Sequence, residues 1–247
     1  MSENTILKNY SGSHNGRTAA VIFTSFKIDV SRKKQINRNT QYVTGVNSIL
    51  RNLPKSATKV VVDNTGFLRV YPEVIDSRFF AADNLYVLSY PQNSGTSNKG
   101  IGELEMLDSV SKIFSLEKFD KILYLTGRYF YSQPYTFQIA LNSTANFVYC
   151  KPTFFGLDGQ SRLDGDPEVL NDMFFCSDSV FMSEYISFFR SNRINMENLN
   201  IPSERLLWEF HESQKTSKEF TSEEIPAIGI LRATSNRSYS IDEIQIL

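Results

Sequence analysis

Two short stretches carry the residue types from which phosphate chemistry is built. Asn98-Lys99-Gly100-Ile101-Gly102-Glu103 reads as a glycine-loosened loop running into a helix. Such a corner gathers backbone N–H groups, the positive end of a helix dipole and a lysine ammonium. Further on, Tyr124-Leu125-Thr126-Gly127-Arg128-Tyr129 reads as the end of a buried strand that turns sharply and presents a guanidinium. Small polar groups close two other apolar runs: the hydroxyls of Thr24 and Ser25, and the pair Asp63-Asn64. If all four stretches stand at the carboxyl edge of one sheet, they surround the point where an open α/β sheet receives a phosphorylated ligand.

The elements needed to place them there are legible. Thr18 to Phe23, Lys59 to Asp63, Leu85 to Ser89 and Lys121 to Leu125 are short apolar runs rich in β-branched residues, the mark of buried strands. Helical spacing joins Ile36, Val43, Val46 and Leu50, closing near Asn52-Leu53-Pro54, and again Leu104, Leu107, Val110 and Phe114. Lys27 to Lys34 reads as a charged loop, Pro72 to Asn84 as a connecting helix or loop. Strands and amphipathic helices alternating in this way predict a mostly parallel sheet covered by helices on both faces.

Beyond Tyr129 the pattern loosens. Asn146 to Cys150 and Asn171 to Cys176 read as strands, and Gly156 to Asp166 as an acidic, glycine-rich loop. Asp178 to Arg190 and Pro202 to His211 read as helices, the second with Ser203 as its N-cap. The expected layout is a flexible lead over 1–17, one α/β domain over 18–211 with an irregular C-terminal half, and a linker and tail over 212–247.

Composition narrows the function classes. A chain of 247 residues with 26 basic and 27 acidic side chains interspersed has no global charge with which to hold nucleic acid. It is long enough to bury roughly 70–75% of its unfolded surface, so folding needs no metal or disulfide staple. Cys150 and Cys176 form no metal-ligand spacing with each other or with His14 and His211, and both read as buried thiols of a reducing compartment. The two histidines look incidental. The 19 Phe and 12 Tyr are chiefly core, with a sugar- or base-holding cleft as a further use. Without a signal-like leader or a run long enough to span a bilayer, the expected location is cytoplasmic, with peripheral docking on a membrane or partner enzyme left open.

The order of strand, helix, Val61-Val62-Asp63-Asn64, strand, Asn98-Lys99-Gly100 helix, and a strand ending Thr126-Gly127-Arg128-Tyr129 resembles the GT-A-fold glycosyltransferases. It is similar in particular to bacterial capsule and O-antigen transferases, and the resemblance covers about residues 18–210. It implies a GT-A-like, Rossmann-like sheet whose first half, 18–130, binds a nucleotide-sugar, UDP-linked in the expected case. The second half, 131–211, would hold a glycan or lipid-linked glycan acceptor. Thr24, Ser25, Asp63 and Asn64 would face base and ribose. Lys99, Gly100 and Glu103 would approach the diphosphate or donor sugar, and Thr126, Gly127, Arg128 and Tyr129 would shape the place of donor or acceptor.

One departure bears on mechanism. Most members of that fold place Asp-x-Asp after the fourth strand to hold a divalent metal, whereas here the chain reads Thr126-Gly127-Arg128. The resemblance then implies a site in which Lys and Arg neutralise the leaving diphosphate, with no required cofactor and no expected Mg²⁺ or Mn²⁺. Asp164-Gly165-Asp166 has the Asp-x-Asp spacing but lies in a later loop. Inverting transfer also needs a carboxylate base. The family carries it at the start of a late helix, which singles out Glu204, with Asp158 and Asp166 as alternatives. Two other readings stand beside this one: a catalytically silent module that binds a glycan or partner, and a sugar nucleotidyltransferase.

Overall fold

The computed structural model describes residues 5–10, 17–26, 32–70, 81–90, 98–151, 154–155, 161–162, 170, 174–226 and 230–232. The strands are β1 (Thr5–Tyr10), β2 (Thr18–Thr24), β3 (Thr58–Asp63), β4 (Leu85–Ser89), β5 (Lys121–Thr126), β6 (Tyr129–Tyr131), β7 (Phe147–Lys151), β8 (Phe154–Phe155), β9 (Ser161–Arg162), β10 (Phe174–Ser177), β11 (Ser222–Pro226) and β12 (Ile230–Arg232). The helices are α1 (Arg32–Asn52), α2 (Phe67–Val70), α3 (Lys99–Phe114), α4 (Tyr135–Asn142), α5 (Ser179–Leu199) and α6 (Ser203–Gln214).

Eight strands form the main sheet in the order β1-β4-β3-β2-β5-β10-β7-β11. β4, β3, β2 and β5 run parallel, as the alternation of strand and helix predicts. Each has an apolar interior because both of its faces are covered. Ala20 and Ile22 of β2 face α1, where Tyr42, Val46, Ile49 and Leu50 pack on them. Ala19, Val21 and Phe23 face the opposite layer, built from Leu104 and Leu107 of α3, Met182 and Tyr185 of α5, and Leu206 and Leu207 of α6. The aromatic wealth lies largely here. Phe23, Tyr124 and Phe175 follow one another across β2, β5 and β10, with ring centroids 4.4 and 4.6 Å apart.

The ends of the chain depart from expectation. The lead over 1–17 contains β1, which pairs antiparallel with β4 and forms one edge of the sheet. The linker and tail over 212–247 begin inside α6 and contain β11, parallel to β7 at the other edge, and β12, antiparallel to β6. In the half read as irregular, the expected strands and helices are present among the described residues. β10 lies antiparallel between β5 and β7, so the sheet continues while the strand–helix alternation that announces parallel strands is broken. Of the charged loop expected over Lys27 to Lys34, residues 32–34 instead open α1, and α5 runs on past Arg190 to Leu199. The expected connection over Pro72 to Asn84 falls largely outside the described residues. Among the described residues, no helix is long and apolar enough to cross a membrane.

Candidate functional site

The parallel strands end flush. Thr24 is level with Asp63, Asp63 with Ser89, and Phe23 with Thr126. α1, which follows β2, packs on one face, and α3, which follows β4, packs on the other. Strand order reverses between β2 and β5, and the crevice beyond such a reversal is the ligand position of open α/β sheets. Thr24-Ser25 and Thr126-Gly127-Arg128 flank it.

On the β2–β3 side the polar groups bind one another. The Thr24 hydroxyl donates to the Val62 carbonyl (3.0 Å), and the Ser25 hydroxyl donates to Asn64 Oδ1 (2.7 Å). Asp63 is 0% exposed, and its carboxylate accepts from the Phe26 amide (3.2 Å) and the Thr65 hydroxyl (2.9 Å). Burial pushes this carboxyl above its ordinary range, opposed by the Phe26, Thr65 and Leu68 hydrogen bonds. Asp63 therefore holds the loops after β2 and β3 together from inside. Ser25 and Asn64 are the members of this group nearer the surface loops.

On the β5 side, the Gly127 amide donates to the Phe23 carbonyl (2.8 Å), which ties the turn to the end of β2. A Cβ on Gly127 would stand 3.0 Å from both the Phe23 oxygen and the Thr24 methyl, so the chain passes close enough that a side chain would crowd it. Arg128 follows, partly buried. Its Nε is buried and makes no hydrogen bond among the described residues. A guanidinium N–H so placed is an open donor, because buried polar groups otherwise find partners. Tyr129 is partly buried against the α1 side of the core.

The third group assembles at the start of α3. Asn98 caps the helix, accepting from the Gly100 amide (2.9 Å), and its own amide donates to the Met196 and Ile201 carbonyls (3.1 and 2.8 Å). One side chain thus closes α3 and fastens it to the α5–α6 junction. Lys99 pairs with Glu103 at 3.0 Å, the ammonium 59% exposed and the carboxylate 5%. Gly100 lies against Ser203, so α6 begins where α3 begins and Glu204 comes to the Lys99 corner. Glu204 is partly buried and receives the Ser203 hydroxyl at 3.2 Å. Ser203 is not the N-cap: that position is Pro202, and Ser203 is already helical and pressed onto Gly100. Asn98 was readable as an Asn before a helical run, but its second role depends on residues far along the chain.

Asp158, Asp164, Asp166 and His14 lie outside the described residues. Among the described ones, no three His, Cys, Asp or Glu side chains group as metal ligands. The donor set at the β5 end does not fit a divalent ion either, since it offers a guanidinium where a carboxylate would be needed. His211, read as incidental, is a core residue. It is 1% exposed on α6, with Phe147, Tyr149 and Phe220 ring centroids 5.3–5.7 Å away. Burial, then Lys215, lowers its pKa below the ordinary histidine value.

No protein-family model matches the chain, and no curated protein does. Solved structures do. The chain is similar to 4-diphosphocytidyl-2C-methyl-D-erythritol synthase from Anaerococcus prevotii DSM 20548, with a TM-score of 0.50 and 11% identity over 93% of this chain and 95% of that one. It is also similar to a chain named as a nucleotide-diphospho-sugar transferase from Desulfovibrio desulfuricans G20, with a TM-score of 0.53 and 11% identity over 85% of this chain and 80% of that one. The fold is therefore the α/β fold shared by nucleotide-diphospho-sugar transferases and that synthase, and at this identity the likeness is one of fold.

Proposed function

We propose that the protein is an inverting glycosyltransferase. It moves a sugar from a UDP-linked donor to a glycan or lipid-linked glycan acceptor in bacterial surface polysaccharide synthesis. The observation that carries this reading is Arg128, a guanidinium with a buried open donor, held at the β2/β5 reversal where a diphosphate would lie. The fold and the Lys99–Glu204 corner support it.

In this mechanism Glu204 takes the proton of the acceptor hydroxyl as its oxygen attacks the anomeric carbon. The new bond forms on the face opposite the diphosphate. The anomeric C–O bond breaks and its electron pair stays on the diphosphate oxygen. Arg128 and Lys99 neutralise the charge that develops there, the part a divalent ion plays where carboxylates can hold one. Lys99 exchanges some of its contact with Glu103 for phosphate oxygen in doing so.

A second reading, a sugar nucleotidyltransferase, is kept open by the fold shared with the synthase, which is named for a diphosphocytidyl product. Against it, Thr24-Ser25-Phe26-Lys27 lacks the glycine-rich signature that such enzymes carry beside the first strand. A binding module without turnover is the third. Incubation with a nucleotide-sugar panel, and separately with nucleoside triphosphates and sugar phosphates, each with and without EDTA, separates them. The proposal expects release of nucleoside diphosphate that persists in EDTA. Pyrophosphate release from a nucleoside triphosphate would establish the second reading. Binding without turnover would establish the third, and activity abolished by EDTA and restored by Mn²⁺ would turn attention to Asp164 and Asp166.

A further inference from the structure

The turn that carries Arg128 leads directly into β6, and β6 is held from two sides. On one side is β12, with Ile230 level with Tyr131 and Arg232 with Tyr129. On the other is a stripe of α1 formed by Gly45, Ser48 and Asn52, spaced three and four residues apart and so on one helix face. The Ser48 hydroxyl donates to the Gly45 carbonyl (2.7 Å) and accepts from the Tyr131 amide (2.9 Å). The Asn52 side-chain amide donates to the Ser48 and Tyr131 carbonyls (2.9 and 2.8 Å). Tyr131 thus has both backbone polar groups satisfied by helix side chains, much as a neighbouring strand would satisfy them. At Gly45 the helix approaches so closely that a Cβ would overlap the Gly127 carbonyl oxygen and stand 2.9 Å from that of Tyr129.

We infer that Gly45, Ser48 and Asn52 are positioning residues that set where Arg128 meets an anionic ligand. None of the three touches that ligand. Gly45 lies against the peptide immediately before Arg128, and Ser48 and Asn52 hold the backbone of Tyr131, three residues on, against the helix that follows β2, so the guanidinium is referred to the β2 edge. A flexible turn would have to be ordered at the moment of binding, which weakens affinity. The inference rests on the reading of Arg128 as a diphosphate ligand.

The test is a double-mutant cycle read by titration with uridine diphosphate, using Ser48→Ala, Asn52→Ala and Arg128→Gln in the full chain. Ser48→Ala and Asn52→Ala are expected to weaken binding on the order of tenfold each, and to have no further effect in the Arg128→Gln background. Amide exchange at Tyr131 is expected to quicken in both α1 variants while exchange in β2 and β3 stays slow. If Ser48→Ala fails to fold, Asn52→Ala, at a half-buried position, carries the cycle alone. Weakening that is the same size with and without Arg128, or no weakening at all, would overturn the positioning role while leaving Arg128 a ligand. Wild-type protein that does not bind, or an Arg128→Gln variant that binds as wild type does, would overturn the reading of the site and the positioning role with it.

Discussion

Gly100 and Ser203 meet backbone to backbone: a Cβ on Gly100 would lie 2.5 Å from the Ser203 nitrogen. The starts of α3 and α6 therefore touch with no side chain between them. This contact, rather than any local sequence feature, brings Glu204 to the Lys99 corner. Gly100 is helical, so the need for glycine here is one of space.

Gly100→Ala should therefore destabilise the protein even though alanine is the better helix former. Forcing a methyl into a filled site costs about 1–3 kcal/mol, which in a domain of this size lowers Tm by roughly 2–12 °C. Thermal unfolding of the variant checks it. A melting temperature equal to wild type would mean that α6 shifts freely, and the Glu204 placement would lose its support.

Glu204→Gln keeps the size of the side chain but cannot take a proton. If Glu204 is the base, kcat falls about 10²–10⁴-fold while donor binding stays intact. A carboxylate that serves only the α6 dipole would change stability by about 0.3–1 kcal/mol and leave turnover alone. Measuring kcat, donor affinity and Tm on one preparation separates the two, and wild-type turnover would move the search to Asp158 and Asp166.

His211 gives stability a pH dependence whose sign follows from its lowered pKa. Above its ordinary value near 6.5 the imidazole is neutral in both folded and unfolded states and contributes nothing. As pH falls through that value the unfolded chain binds a proton and the folded one resists it, so stability is lost until the lowered folded pKa is reached. Tm should drop as pH falls below the ordinary histidine value of 6.5, and the drop should be smaller in His211→Phe, which keeps an aromatic ring beside Phe147, Tyr149 and Phe220. Parallel curves for the two proteins would assign the dependence to other groups.

Burial pushes the Cys150 and Cys176 thiols up to about 12. At neutral pH almost no thiolate is present to react. Ellman's reagent should thus label neither cysteine in native protein and both along the unfolding transition in urea. Rapid labelling under native conditions would show that β7 and β10 open locally.

The sequence alone determined the parallel half of the sheet and its polar edge. β2, β3, β4 and β5 each carry a run of consecutive apolar residues because helices cover both faces, and that burial is written into the chain. Where those runs stop, Thr24, Asp63, Ser89 and Thr126-Gly127-Arg128 stand at the edge by chain geometry. Only the tertiary structure decided what each polar group does there. Asp63 turns inward because the Phe26 amide and Thr65 hydroxyl wait for it, and Asn98 reaches Met196 and Ile201, 98 and 103 residues along the chain. The strand β1 and the antiparallel direction of β10 were hidden for the same reason. Periodicity records how a residue is buried relative to its own element, whereas pairing at an edge and close approach at a glycine depend on partners distant in the chain, which no local spacing encodes.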